Sequence, residues 1–161
     1  MLNLLGEYNC KVDAKGRVLF PARLRKQLEA VLGEGLVVNR DIFEGCLILY
    51  PQPEWAKVNE EMARLSRYNP QHQRFQRKFM NGATALELDA AGRIHLPAAL
   101  MQHAGIDPKD ANELVITGMG EKMEVWSAGR YAERVLADDL DFAQLAEEVR
   151  KDLEGSSGKG S

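Results

Sequence analysis

Apolar and polar residues alternate through residues 6–13, with Tyr8, Cys10 and Val12 set against Glu7, Asn9 and Lys11. That is the period of a half-buried strand. Asp13-Ala14-Lys15-Gly16 then has the makings of a type I turn, with Asp first and Gly where positive φ is required. Together they predict a three-residue hairpin loop with a bulge at the glycine, followed by a returning strand over 18–20. Pro21 suits a first helical turn, and Leu24, Leu28, Val31 and Leu32 fall on one helical face before Gly33 and Gly35 end it. Short apolar strands are expected at 36–38 and 47–50. Pro51 and Pro53 break the chain before a helix over about 54–67, striped by Trp55, Val58, Met62 and Leu65. Asn69-Pro70 stops that helix and starts another running to about residue 80.

The pattern then starts again. Residues 6–24 and 82–100 are identical at eight of nineteen positions when offset by 76, including Asp13/Asp89, Gly16/Gly92, Arg17/Arg93 and Pro21/Pro97. About one match is expected by chance. Several mismatches keep their character: Val12/Leu88, Val18/Ile94 and Phe20/Leu96 are all apolar. The second copy predicts a strand over 83–89, a turn over 89–93, a strand over 94–96 and a helix over 97–104. Closing strands follow at 114–117 and 122–126. A C-terminal helix carries Phe142, Leu145, Val149 and Leu153 on one face, and a flexible tail follows. Two copies are a duplication and not a solenoid. The organisation expected is a first unit over 1–53, a helical connector over 54–81, a second unit over 82–128, a C-terminal helical segment over 129–153 and a tail over 154–161.

Composition narrows the class. The 161 residues hold two cysteines and no run of eighteen apolar residues, and residues 1–11 lack a signal-peptide pattern. Cys10 and Cys46 sit in strand-like contexts and read as free thiols. The expectation is a soluble cytoplasmic protein. A net charge of −3 argues against a polyanion ligand, but its distribution does not. Residues 1–100 carry 14 Lys and Arg against 11 Asp and Glu, whereas residues 101–161 carry 7 against 13. A basic front and an acidic rear permit polyanion binding on one face.

Candidate chemistry concentrates in the repeated D-x-x-G-R turn. Its plain meaning is a well-made turn, structured by Asp13 and Gly16 and again by Asp89 and Gly92. Turn chemistry does not require an arginine after the bulge, however, and the chain places one there twice. Arg17 and Arg93, with Lys15 beside the first, offer guanidinium forks suited to phosphate and to the O6/N7 edge of guanine. The aspartates are expected to hold the turns alone, so Asn should be tolerated in place of Asp13. The run HQRFQRK at 72–78 reads most simply as a solvated helix face. His72, His95 and His103 have no metal-ligand spacing, and Gly118-Met119-Gly120 precedes a strand where phosphate loops precede a helix. No serine has a nucleophile-elbow context. No catalytic residue, metal site, cofactor or small-molecule ligand is predicted. A nuclease or phosphatase would need more metal-binding carboxylates than Asp13 and Asp89 supply. A scaffold or antitoxin-like protein, docking partners through its C-terminal helix, is the remaining alternative.

These residues resemble the MraZ family of bacterial transcriptional regulators, built from tandem AbrB-like units. The likeness includes Asp13–Arg17 and Asp89–Arg93, Tyr50-Pro51 with Pro53-Glu54-Trp55, Asn69-Pro70, His103-Ala104-Gly105 and Val125-Trp126, and covers about residues 1–153. It implies an α+β fold: a pseudo-two-fold swapped-hairpin β-barrel from two tandem repeats, with flanking helices and assembly into a homo-oligomeric ring. It further implies nucleoid-associated binding of double-stranded DNA at short G-rich direct repeats, usually as a repressor of the protein's own division and cell-wall operon. DNA contact falls on Arg17, Arg93 and Lys15. The second turn departs from the first in carrying Ala91 where the first has Lys15.

Overall fold

The computed structural model describes residues 2–137 and 141–159, with side chains to residue 156. Its two compact units are residues 1–131 and 132–161. In the larger unit the strands are β1 (Glu7–Lys11), β2 (Arg17–Leu19), β3 (Leu36–Arg40), β4 (Leu47–Pro51), β5 (Thr84–Leu86), β6 (Arg93–His95), β7 (Glu113–Gly118) and β8 (Met123–Ser127). The helices are α1 (Ala22–Gln27), α2 (Gln52–Met62), α3 (Pro70–Met80), α4 (Ala98–Ala104) and α5 (Ala128–Tyr131). The smaller unit holds a π-helical turn (Ala132–Leu136) and α6 (Phe142–Lys159).

The strands form an antiparallel six-stranded sheet, ordered β1-β7-β8-β4-β3-β5, and a separate antiparallel ribbon of β2 and β6. Exchanging each strand for its repeat counterpart (β1 with β5, β2 with β6, β3 with β7, β4 with β8) reverses the sheet order and leaves it otherwise unchanged. The pseudo-dyad passes between Val18 and Ile94, which pair in the ribbon, and between Ile48 and Glu124, which pair across β4 and β8. One local shift is present. Leu36 pairs with Pro51 while Leu114 pairs with Ser127, so β7 follows β3 by 78 residues and not 76. The second repeat has two more residues before this strand and two fewer after it. Every facing is preserved, because strand side chains alternate with period two.

The repeats share one core. Val18, Leu24, Leu36, Leu49, Ile94 and Ile116 are buried together, drawn from both halves. Strands are also exchanged: β1 pairs with β7, β3 with β5 and β2 with β6. The swapped-hairpin barrel expected from the resemblance is met at the level of an antiparallel α+β fold with two tandem units. Hydrogen bonding does not close the sheet, which ends at β1 and β5. Beyond their turn the arms of the first hairpin form one β-bridge, Val12 with Val18, before separating into different sheets.

Several helices depart from the apolar pattern. The first, expected to run through Leu32, stops at Gln27, and the chain tightens into a 3₁₀ turn at Leu32–Glu34. Val31 donates its N–H to the Leu28 carbonyl, a three-residue step that still buries Leu28 completely. Apolar spacing marks burial, which either helix type satisfies. Conversely α2 begins at Gln52, earlier than expected, because Pro53 lies in the first turn where a missing N–H costs nothing. Asn69 caps α3, its Oδ1 accepting the N–H groups of Gln71 and His72, and Pro70 opens the helix. Residues 154–159, expected as a flexible tail, continue α6; Gly155, which could have ended it in a left-handed cap, is helical.

Candidate nucleic-acid interface

Each repeat builds its turn in the same way. At the first, Gly16 N–H donates to the Asp13 carbonyl (3.0 Å) and Asp13 N–H to the Arg17 carbonyl (2.9 Å). At the second, Gly92 donates to Asp89 and Asp89 to Arg93, both at 2.9 Å. Gly16 and Gly92 have φ of 81° and 79°, a left-handed conformation that a side chain would resist. The turns are locked across the dyad as well: Phe20 N–H donates to the Gly92 carbonyl and Leu96 N–H to the Gly16 carbonyl, both at 2.9 Å.

The aspartates hold more than the turn. Asp13 Oδ1 accepts the backbone N–H groups of Lys15 and Arg17, while Oδ2 accepts from Arg17 Nε at 2.8 Å. Asp89 repeats this with Ala91, Arg93 and, at 3.0 Å, Arg93 Nε. The backbone N–H of the arginine, first among several donors, holds each carboxyl below its ordinary range. Both ion pairs are about one-third exposed and symmetric, at 32% and 34% for the arginine side chains. A guanidinium has five N–H donors. With Nε–H committed to the aspartate, the Nη groups have no partner among the described residues. Each arginine is thereby aimed while its far edge stays available for a ligand.

Both arginines lie on one side of the ribbon. Arg17 pairs with His95 and Arg93 with Leu19, and paired residues share a face; Val18 and Ile94 point the other way, into the core. The outer face is therefore Arg17, Leu19, Arg93 and His95, with Leu19 64% exposed. A strand rise of about 3.3 Å and a strand spacing of about 4.8 Å put the two arginine Cα atoms roughly 8 Å apart.

Lys15 is exposed in the first turn. In the run 72–78, Arg74, Arg77 and Lys78 are exposed on α3, and no hydrogen bond or ion pair among the described residues joins them to either turn. Among the described residues no three metal-ligating side chains gather, and no helix is long and apolar enough to cross a membrane. Two features went unread in the sequence. One is the Asp–Arg Nε clamp, which the four-residue spacing across a tight turn could have suggested. The other is Arg130, whose Nη1 donates to the carbonyls of Gly45 and His103 at 2.9 and 2.7 Å.

The tandem organisation is shared with known proteins. A family profile described as "MraZ protein, putative antitoxin-like" matches residues 3–78 and again 79–152. A protein of Christiangramia forsetii named transcriptional regulator MraZ is 38% identical over 159 residues, 98% of this chain and 100% of that one. Bearers of the same name from Marinomonas sp. (44% over 122 residues, 76% and 78% of the two chains) and Lactobacillus delbrueckii subsp. bulgaricus (36% over 145 residues, 90% and 95%) are similar. With the profile matched twice, once per clamped turn, the chain belongs to the MraZ family.

Proposed function

We propose that the chain is a sequence-specific DNA-binding transcriptional regulator of the cytoplasm and nucleoid, repressing its own division and cell-wall operon. It reads short G-rich direct repeats through Arg17 and Arg93, as a ring of identical subunits. The observation that carries this reading is the pair of aspartate-clamped arginines on one face of a two-stranded ribbon, each with its Nη edge unpaired among the described residues. A ribbon of that width fits the major groove of B-form DNA, and two N–H donors of one guanidinium match guanine O6 and N7. Clamping supports specificity, since an aimed side chain loses less freedom on binding. Lys15 supplies a phosphate contact, adding affinity without sequence preference. The exchange of β1 and β5 between halves supports the swapped-hairpin reading of the fold.

One subunit offers few charges, and few counterions are released on binding. A ring repeats the ribbon, and tethered copies engage successive DNA repeats at high effective concentration. Spacing near one helical turn, about 10 bp, keeps each repeat on the same side of the duplex. The test is footprinting on the DNA upstream of the protein's own gene, followed by titration of intact, G-replaced and half-turn-respaced repeats. Arg17→Ala is expected to erase the preference for G-rich repeats, and Lys15→Ala to weaken all duplexes alike. Indifference of the unaltered protein to both G replacement and respacing would overturn the reading.

A second reading, a scaffold or antitoxin-like role, draws on the stripe Phe142, Leu145, Val149 and Leu153 along α6 and on the family's description. Partner binding that survives Arg17→Ala, in a protein that never shifts DNA, would favour it.

A further inference from the structure

The two turns differ in charge: the first contains Lys15 and the second Ala91 at the same place. The structure sets another cation beside the second. A Cβ built on Gly92 would meet Arg25 Nη1 at 2.8 Å and its Cζ at 3.8 Å, so the α1 guanidinium lies directly against the second turn. The same construction at Gly16 meets Met101 Cε at 3.2 Å. Met101 is the repeat counterpart of Arg25. The pseudo-dyad thus carries the helix of each repeat to the turn of the other, α1 to the second turn and α4 to the first. Where α1 brings Arg23, Arg25 and Lys26, α4 brings Ala99, Met101 and Gln102. The turn without a lysine is the one that faces the basic helix.

Resting on the DNA-reading function above, we propose that Arg25 is a DNA-phosphate contact of the second tip and stands in for the missing lysine. Its side chain is exposed and makes no hydrogen bond or ion pair among the described residues. A cation held for structure alone normally finds a carboxylate or carbonyl, as Arg130 does with two carbonyls. Arg25 instead lies over a glycine beside Arg93, with all its donors open. Each tip then has one clamped arginine and one free cation. In the first the cation belongs to the turn, and in the second it reaches over from the other repeat. Tips of equal charge present the same footing to the backbone on either side of the groove, so phosphate contact does not bias the ribbon toward one end.

The full chain is titrated by fluorescence anisotropy, from 0.05 to 0.3 M salt, against the duplex upstream of its own gene and a scrambled duplex of equal length. Arg25→Met, the residue found at the equivalent place, is compared with Arg25→Lys, with Arg25→Met combined with Ala91→Lys, and with Arg17→Ala. Arg25→Met is expected to lower the slope of log affinity against log salt by about 0.9 for each subunit engaged, which is about eightfold weaker binding per engaged subunit at 0.1 M. The loss should be the same on both duplexes, with an unchanged melting temperature. Arg25→Lys should retain the slope, and Ala91→Lys should restore it in the Arg25→Met background. An unaltered slope in Arg25→Met, alongside lost preference in Arg17→Ala, would overturn this role and leave the DNA reading intact. A loss confined to the native duplex, or one that Ala91→Lys does not repair, would also overturn it. Retained preference in Arg17→Ala would instead count against the DNA reading itself.

Discussion

At the scale of single residues, the aspartate of each turn is bonded through both oxygens, and the roles of the two oxygens are separable. Asp13 Oδ1 serves backbone N–H groups, whereas Oδ2 serves Arg17 Nε. Asparagine can keep the first but presents an amide N–H₂ toward the guanidinium in place of the second. Asp13→Asn is therefore expected to fold and melt normally while weakening the proposed preference for G-rich repeats. This departs from the tolerance that the turn pattern alone suggests. Binding to G-rich and G-replaced duplexes measures it, and equal preference in Asp13→Asn and the unaltered protein would dismiss the clamp. The pH dependence follows in sign. Because the folded pKa lies below the ordinary 3.8, the clamp is fully present above that value and is lost as pH falls through the lowered one. A carboxyl-carbon titration of Asp13 should have its midpoint below 3.8, with no clamp-related change between pH 5 and 8; a midpoint above 3.8 would contradict the hydrogen bonding seen. The D-x-x-G-R spacing made the turn legible. The clamp needs the arginine's direction, which a string of residues does not state.

Among elements, what the sequence left unread is what joins one element to another. Apolar alternation located β1, and Asn69-Pro70 located the start of α3, because each signal is local. Arg130 follows β8 on α5 and had no such signal, since its partners are carbonyls 85 and 27 residues away. It closes the β3–β4 loop and the end of α4 onto the same guanidinium. Cβ atoms built on Gly45 and Gly105 would meet Arg130 within 2.5 and 2.9 Å, so both glycines leave room for it. Arg130→Ala removes two charge-assisted hydrogen bonds and leaves the carbonyls to find water. A loss of about 1.5–3 kcal/mol is expected by chemical denaturation, with DNA affinity unchanged once folded. A loss below about 0.5 kcal/mol, the range of ordinary surface changes, would show that the clamp is dispensable. The aromatic pairs behave differently, because the 76-residue offset relates them. Tyr50 stands 5.4 Å from Trp55, and their counterparts Trp126 and Tyr131 stand 6.3 Å apart.

On the scale of the whole molecule, the duplication is not two domains in series. Of the strand pairs that involve the first repeat, only β3 with β4 lies within it; β1, β2, β3 and β4 also bond to β7, β6, β5 and β8 of the second. Val18, at the dyad, is wholly buried against a core that both repeats supply. Residues 1–81 on their own would leave β1 and β2 unpaired, expose one edge each of β3 and β4, and open half of that core to water. The pseudo-dyad offers one escape, in which a second copy of the fragment replaces the missing repeat, Val18 pairing with Val18 and β1 with β3 of its mate. The fragment is accordingly expected to be either unfolded or a symmetric dimer, and adding residues 82–137 should draw it into a folded heterodimer. Light scattering and the dispersion of amide proton resonances distinguish these states. A well-dispersed spectrum from a monomer of residues 1–81 would mean that each repeat folds by itself, and the interlocked core would then be wrong. The same interlocking ties fold to function. The ribbon that carries Arg17 and Arg93 exists only where the repeats meet, so a change that parts the repeats is expected to cost the proposed DNA recognition together with the fold.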